Sequence, residues 1–223
     1  MIVCLFDIDG TLLASGGAGR AALEASFTEE FGVPLREYIP YSGRTDRAIA
    51  RDLLSMHGIG DTPANRAKLV AGYLARLPHS LNSHDGRVLP GIVDLLAVLK
   101  ARSDVALGLL TGNMRAGALV KLGHYQLFDH FAFGGFGDQH YDRDDVAREA
   151  LVVARSHLGA VVAPERMWVI GDTPLDVQCA RAIGAKVLAV ATGVHTFDQL
   201  KETAPDLTLQ DLADYSSFVD MLA

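Results

Sequence analysis

Two aspartates one residue apart, Asp7 and Asp9, follow the apolar run Ile2-Val3-Cys4-Leu5-Phe6 and precede Gly10-Thr11. Carboxylates this close repel unless a cation or a shared proton lies between them, and an apolar strand has no packing reason to end in such a pair. Two further strand-like runs end in polar signatures. Val105 to Leu110 leads into Thr111-Gly112-Asn113, and Met167 to Ile170 into Gly171-Asp172-Thr173-Pro174-Leu175-Asp176. Asp172 and Asp176 are one helical turn apart and share a face. The cation best placed to join them is Arg143, within Asp138-Gln139-His140-Tyr141-Asp142-Arg143-Asp144-Asp145, because no lysine occurs between Lys121 and Lys186.

These residue types fit phosphoryl transfer. A carboxylate such as Asp7 is a weak nucleophile that must be held in line and shielded by a cation. Mg²⁺, hard and octahedral, suits a site with few carboxylates, water and a substrate phosphate. Asp9 is placed to protonate a leaving alcohol and then activate water. Thr111, Gly112 and Asn113 offer a hydroxyl and backbone N–H groups to an anion at a helix N-terminus. Each residue has a plainer role open to it: Asn113 as a helix cap, Asp176 as a first-turn acid favoured by the helix dipole, Arg143 as a surface partner of the aspartates around it.

The elements that carry these residues read as alternating strands and helices, with Leu207-Thr208-Leu209 as a sixth strand. This is an α/β fold, a Rossmann-like parallel sheet with helices on both faces. Residues 15 to 83 depart from it and read as helix throughout. Helices are expected over Arg20 to Phe31, from Asp46 to Gly58, and from Pro63 to about Leu77, with Val33 to Pro40 as a connector. The expected organisation is a catalytic core of residues 1–14 and 84–223 with an all-helical cap domain, 15–83, inserted after the first strand. Gly16, Gly17 and Gly19 suit a hinge. Arg44, in the turn Gly43-Arg44-Thr45-Asp46, either pairs with an anionic group of a substrate or is a solvated helix-start residue; Arg20 is a weaker candidate.

The net charge of −7 over 223 residues and the lack of a basic run argue against nucleic acid as a partner. No apolar stretch approaches the roughly 20 residues of a membrane span. The expectation is a cytoplasmic protein, monomer or homodimer, with Cys4 and Cys179 as small buried hydrophobes. The eight histidines show no metal-ligand spacing.

Across essentially the whole chain, the motifs resemble the haloacid dehalogenase-like superfamily of phosphohydrolases. Asp7 to Thr11 matches DxDGT, Thr111 stands where the second motif's hydroxyl belongs, and Gly171 to Asp176 matches GDxxxD. The resemblance implies a nucleophilic Asp7 that forms an aspartyl-phosphate, Asp9 as acid and base, and Mg²⁺ held by Asp7, the Asp9 carbonyl and Asp172, with Asp176 behind them. Most relatives carry a lysine in the third motif, so Arg143 is a departure. Cap size and motifs are nearest to phosphoglycolate phosphatase-like proteins, which implies a small phosphorylated metabolite as substrate. Dehalogenases lack an aspartate at the position of Asp9, and phosphonate hydrolysis would call for a cap lysine nearer the Arg44 turn than Lys68. The alternatives are a sugar phosphomutase of the same superfamily and a non-catalytic binding module.

Overall fold

The computed structural model describes residues 1–35, 39–159 and 162–222. Residues 36–38, inside the expected connector Val33 to Pro40, lie outside the described residues. Six strands form one parallel sheet: β1 (Ile2–Phe6), β4 (Val105–Leu110), β5 (Phe133–Gly135), β6 (Met167–Gly171), β7 (Lys186–Val190) and β8 (Leu207–Leu209), in the order β5-β4-β1-β6-β7-β8. β1 lies between β4 and β6, where the order of strands reverses direction, the point at which open α/β sheets bind ligands. Phe6 pairs with Leu109 on one side and Ile170 on the other. Asp7, Thr111 and Asp172 therefore leave the sheet at nearly the same level.

Strand β1 is buried along its whole length, and its alternate residues feed two cores. Ile2, Cys4 and Phe6 face a cluster completed by α4 (Ile92–Lys100), α5 (Arg115–His124) and the last helix α9 (Ser216–Asp220). Val3 and Leu5 face the other, with α6 (Arg143–Leu158), α7 (Pro174–Ala182) and α8 (Phe197–Glu202). Such two-sided burial is why β1 reads as an unbroken apolar run. Cys4 and Cys179 are free and buried.

Between Ala14 and Arg87 the described residues form three helices, α1 (Ala18–Phe31), α2 (Asp46–Met56) and α3 (Pro63–Ser83). Their shared core contains Phe27, Leu53, Leu69 and Leu77 and also takes in Met114 from the sheet edge. The boundaries differ from expectation in two places. α3 continues through Pro78 to Ser83, because burial of Leu77 and Leu81 and the bond from the Ser80 hydroxyl to the Ala18 carbonyl, 2.8 Å, hold the turn that proline weakens. The insertion is also tied at its base by β2 (Leu13–Ala14) paired antiparallel with β3 (Arg87–Val88). Two-residue strands carry no readable periodicity. Among the described residues, no helix is long and apolar enough to cross a membrane.

The insertion is latched to the sheet edge through Asp46. Its N–H donates to the Gly112 carbonyl at 2.7 Å, and its carboxylate accepts the Met114 N–H at 2.7 Å, capping α5 from outside. Burial pushes the Asp46 carboxyl up to about 6, against the pull of Lys121. Below the ordinary pKa of 3.8 both folded and unfolded chains hold this proton; between 3.8 and about 6 only the folded chain does; above that the full penalty of the buried charge remains. Asp46→Asn keeps an acceptor for Met114. It is expected to raise stability by up to ~2 kcal/mol above pH 6, with the gain vanishing near pH 4, as read by chemical denaturation across pH.

Candidate active site

Asp7 continues β1, and its N–H donates to the Ile170 carbonyl at 2.9 Å, which fixes the backbone against β6. The chain then turns at Gly10, whose φ of 82° lies in the left-handed region. A Cβ there would stand 2.4 Å from an oxygen of Asp172, so only glycine brings the first loop this close to the third. Asp172 follows β6 directly, and its Oδ1 accepts the Thr11 hydroxyl at 3.3 Å.

Three carboxylates meet here: oxygens of Asp7, Asp172 and Asp176 lie within 4.8 Å of one another, all buried. Arg143, at the start of α6, reaches in among them while only 5 % exposed. It stands 3.0 Å from Asp7 Oδ2 and pairs with Asp176 Oδ1. It also donates to the Gly43 and Leu110 carbonyls at 3.2 and 3.4 Å. The second oxygen of Asp176 caps α7, accepting the Thr173 N–H at 2.9 Å and hydroxyl at 2.7 Å. Both Asp176 oxygens are therefore committed to the protein. Arg143 is thus not a surface arginine.

Burial drives the Asp7 carboxyl up to about 6, although Arg143, the Thr111 hydroxyl and the Ile8 backbone pull it down. Burial and the neighbouring Asp176 and Asp7 hold Asp172 well above the usual carboxylate range. Asp7 Oδ1 is buried and has no hydrogen-bond partner. A cluster with more carboxylate than cation and an orphaned oxygen fits a hard divalent ion, which Asp7 and Asp172 would hold.

Asp9 points away from this cluster. Its Oδ2 lies 2.5 Å from Lys121 Nζ and accepts the Asn113 amide at 2.8 Å; Oδ1 faces the Ser15 hydroxyl at 3.5 Å. Burial opposes its ionisation, but Lys121, Asn113 and Ser15 prevail and the carboxyl is held below its ordinary value. Asn113 also donates to the Thr111 hydroxyl oxygen at 2.9 Å and accepts from Lys121 at 2.7 Å. It does not cap α5, which begins on Met114 under the Asp46 latch.

Lys121 was not expected in the site. It sits on the buried face of α5 with Gly117, Ala118 and Leu122, and a lysine on a helix's apolar stripe is the signal that could have marked it. Gly19 makes room for it: a Cβ on Gly19 would lie 3.3 Å from Nζ. Of the three glycines expected at a hinge, Gly19 is a helical residue of α1, while Gly17 is that helix's left-handed N-cap. The Arg44 guanidinium pairs with Asp52 and donates to the Pro40 carbonyl at 3.1 Å, although the residue lines the same cavity. That cavity, about 340 Å³, opens between the three-helix insertion and the sheet edge and is floored by Asp7, Asp9, Gly112, Asn113, Arg143 and Asp172.

A family model of haloacid dehalogenase-like hydrolases matches residues 4–190. The chain belongs to the haloacid dehalogenase-like hydrolases. Among relatives in that family, it is 29 % identical to phosphoglycolate phosphatase 1 of Pseudomonas aeruginosa, over 98 % of this chain and 80 % of that one. It is 28 % identical to a phosphoglycolate phosphatase of Synechococcus elongatus, over 100 % and 99 %. The fold matches that of CbbY from Rhodobacter sphaeroides, solved with phosphate, at a TM-score of 0.74 and 22 % identity, covering 97 % of both chains.

In this hydrolase, removing Arg143 would leave Asp7, Asp172 and Asp176 buried without their cation. Arg143→Ala is expected to cost about 3 kcal/mol or more of stability in chemical denaturation and at least about 100-fold in turnover. Full turnover by a folded variant would take Arg143 out of the reaction.

Proposed function

We propose that this hydrolase is a Mg²⁺-dependent phosphatase that cleaves a small phosphate monoester through an aspartyl-phosphate on Asp7. The observation that carries the reading is the pair of unequal aspartates at one cavity floor. Asp7 keeps an unpartnered oxygen beside Asp172, whereas Asp9 is turned aside and clamped by Lys121 and Asn113. One carboxylate presents an open oxygen to phosphorus, and the other stands beside it as the acid and base.

Mg²⁺ held by Asp7 and Asp172, with the Asp9 carbonyl, would neutralise charge on the phosphoryl oxygens. The remaining roles belong to side chains of this chain. An Asp7 oxygen forms a bond to phosphorus as the ester P–O bond breaks, and the leaving oxygen takes a proton through Asp9, which Lys121 and Asn113 hold ionised at rest and which first draws that proton from the phosphoryl group of the ester, bound as its monoanion. In the second step Asp9 takes a proton from water, the water oxygen bonds to phosphorus, and the bond from Asp7 to phosphorus breaks. Arg143 orients Asp7 and offsets phosphoryl charge, while Thr111, Gly112 and Asn113 supply hydrogen-bond donors. Lys121 and Asn113 hold Asp9 Oδ2, so Oδ1, beside the Ser15 hydroxyl, is the oxygen that handles the proton. Asp176 positions Arg143. The three-helix insertion, 15–83, is the cap domain over a core of 1–14 and 84–223, and it excludes water during the first step. The substrate is a small phosphorylated metabolite, and the enzyme works in the cytoplasm as a monomer or homodimer.

The reading is tested by phosphate release from a panel that includes phosphoglycolate, sugar phosphates, nucleotides, pyrophosphate and an aryl phosphate, with Mg²⁺ and with EDTA. Release that needs Mg²⁺ and falls at least about 1,000-fold in Asp7→Asn is the expected result. Equal release by Asp7→Asn would overturn the nucleophile assignment. Isomerisation of a sugar phosphate without release would point to the phosphomutase.

A further inference from the structure

From its cap residue through its second turn, α5 presents Met114, Gly117 and Lys121 on one face, at spacings of three and four residues. Asp46 Oδ2 accepts the N–H of the first at 2.7 Å, and Asp9 Oδ2 takes the ammonium of the last at 2.5 Å. Tyr73 of α3 fills the interval. A Cβ on Gly117 would stand 3.0 Å from the Tyr73 hydroxyl, so the bare glycine is what lets that hydroxyl approach the helix. Lys121, Asp46 and Asp9 are the charged groups whose fields act on it.

Tyr73 is only 4 % exposed, yet it lines the cavity, and its hydroxyl makes no hydrogen bond among the described residues. Nor is it sealed away, as the partnerless hydroxyl of Tyr125 is. Tyr41 lines the same cavity and differs, because its hydroxyl donates to Glu24 Oε1 at 3.2 Å. Burial holds the Tyr73 phenol well above its usual pKa, so it remains a neutral donor. A phenol buried without a partner costs free energy that a ligand recovers by accepting from it. Asp46 offers the complement. Its Oδ2 is taken by Met114, while Oδ1 has no partner among the described residues, and the residue lines the cavity. An alcohol hydroxyl has both halves that this pair calls for, a lone pair for Tyr73 and a proton for Asp46. A methyl group has neither, and a carboxylate brings no proton to Asp46.

We propose that Tyr73 and Asp46 form a subsite for a hydroxyl on the leaving group, so that the preferred substrates are phosphate monoesters of a diol or polyol. The placement agrees. The leaving oxygen takes its proton through Asp9, so the leaving group begins there, and Tyr73 stands one helical turn along α5 from the lysine that holds Asp9. The inference rests on the phosphatase reading.

The test measures kcat/KM with Mg²⁺ for pairs of esters in which a hydroxyl replaces a terminal methyl. The pairs are 2-hydroxyethyl against propyl phosphate, 3-hydroxypropyl against butyl phosphate, and 4-hydroxybutyl against pentyl phosphate, with 2-phosphoglycolate alongside. In at least one pair the hydroxyl ester is expected to lead by about tenfold or more and to exceed 2-phosphoglycolate. Tyr73→Phe, which removes one oxygen, is expected to cut that lead at least about fivefold. The lead is a ratio within one enzyme, so it is insensitive to how much of the variant folds, and the wild-type comparison stands without the variant. Equal use of hydroxyl and methyl esters in every pair would overturn the inference and leave the phosphatase reading intact. A lead that survives Tyr73→Phe, or better use of 2-phosphoglycolate than of every hydroxyl ester, would do the same. Failure of every ester, an aryl phosphate included, would instead remove the phosphatase reading and the inference with it.

Discussion

The buried contact of Arg143 with Asp7 and Asp176 is the interaction on which the rest of this structure depends. Three carboxylates crowd the end of the central strand, and one guanidinium is their only protein cation within direct reach among the described residues. Its Nη2 reaches Asp7 and Asp176 together, and the guanidinium also donates to two carbonyls. Those carbonyls belong to Gly43 of the insertion and Leu110 of β4. The same side chain therefore joins Asp7, the start of α7, the sheet edge and the helical insertion. Charge balance remains incomplete even so, which is why burial still lifts Asp7 and Asp172. The deficit suits a divalent cation.

A second pair, Lys121 with Asp9, gives the two neighbouring aspartates opposite characters. Asp7 is raised by burial, and Asp9 is lowered because Lys121, Asn113 and Ser15 outweigh burial. One intervening residue, Ile8, sends the two side chains to different partners, and Ile8 is itself fully buried in the core under β1. The strand end thus anchors one site and splits it into two electrostatic environments. Close approach of α1, with Gly19 against the Lys121 ammonium, places the helical insertion in this division of roles.

Much of this was legible because several signals agree at a strand end. The β1 run is apolar on both faces, its glycine is required by Asp172, and GDxxxD places Thr173 as the cap of α7 with Asp176 three residues on. Arg143 was readable by default, as the cation nearest the last motif in a stretch without lysine. Lys121 was not. It lies in a helix whose apolar face reads as ordinary core packing, and its partner is 112 residues away in sequence. Arg44 shows the reverse limit: its turn reaches the cavity as expected, but the pairing with Asp52 within α2 depends on a rotamer that sequence does not encode. The β2–β3 pair and the continuation of α3 past Pro78 escaped for the same reason, since tertiary contacts outside the local pattern hold both.

The two ion pairs leave the buried lysine and the buried arginine of the cavity floor matched to aspartates of the chain. Asp46 adds a further carboxyl group beside Lys121 and Asp9. Above the charged floor the cavity is lined by Leu23, Ile49, Val70 and Tyr73, side chains supplied by the inserted helices. The insertion thus supplies most of the apolar lining and the sheet edge most of the charged groups. Asp46 links the two, with its backbone and carboxylate bound to the loop that carries Thr111.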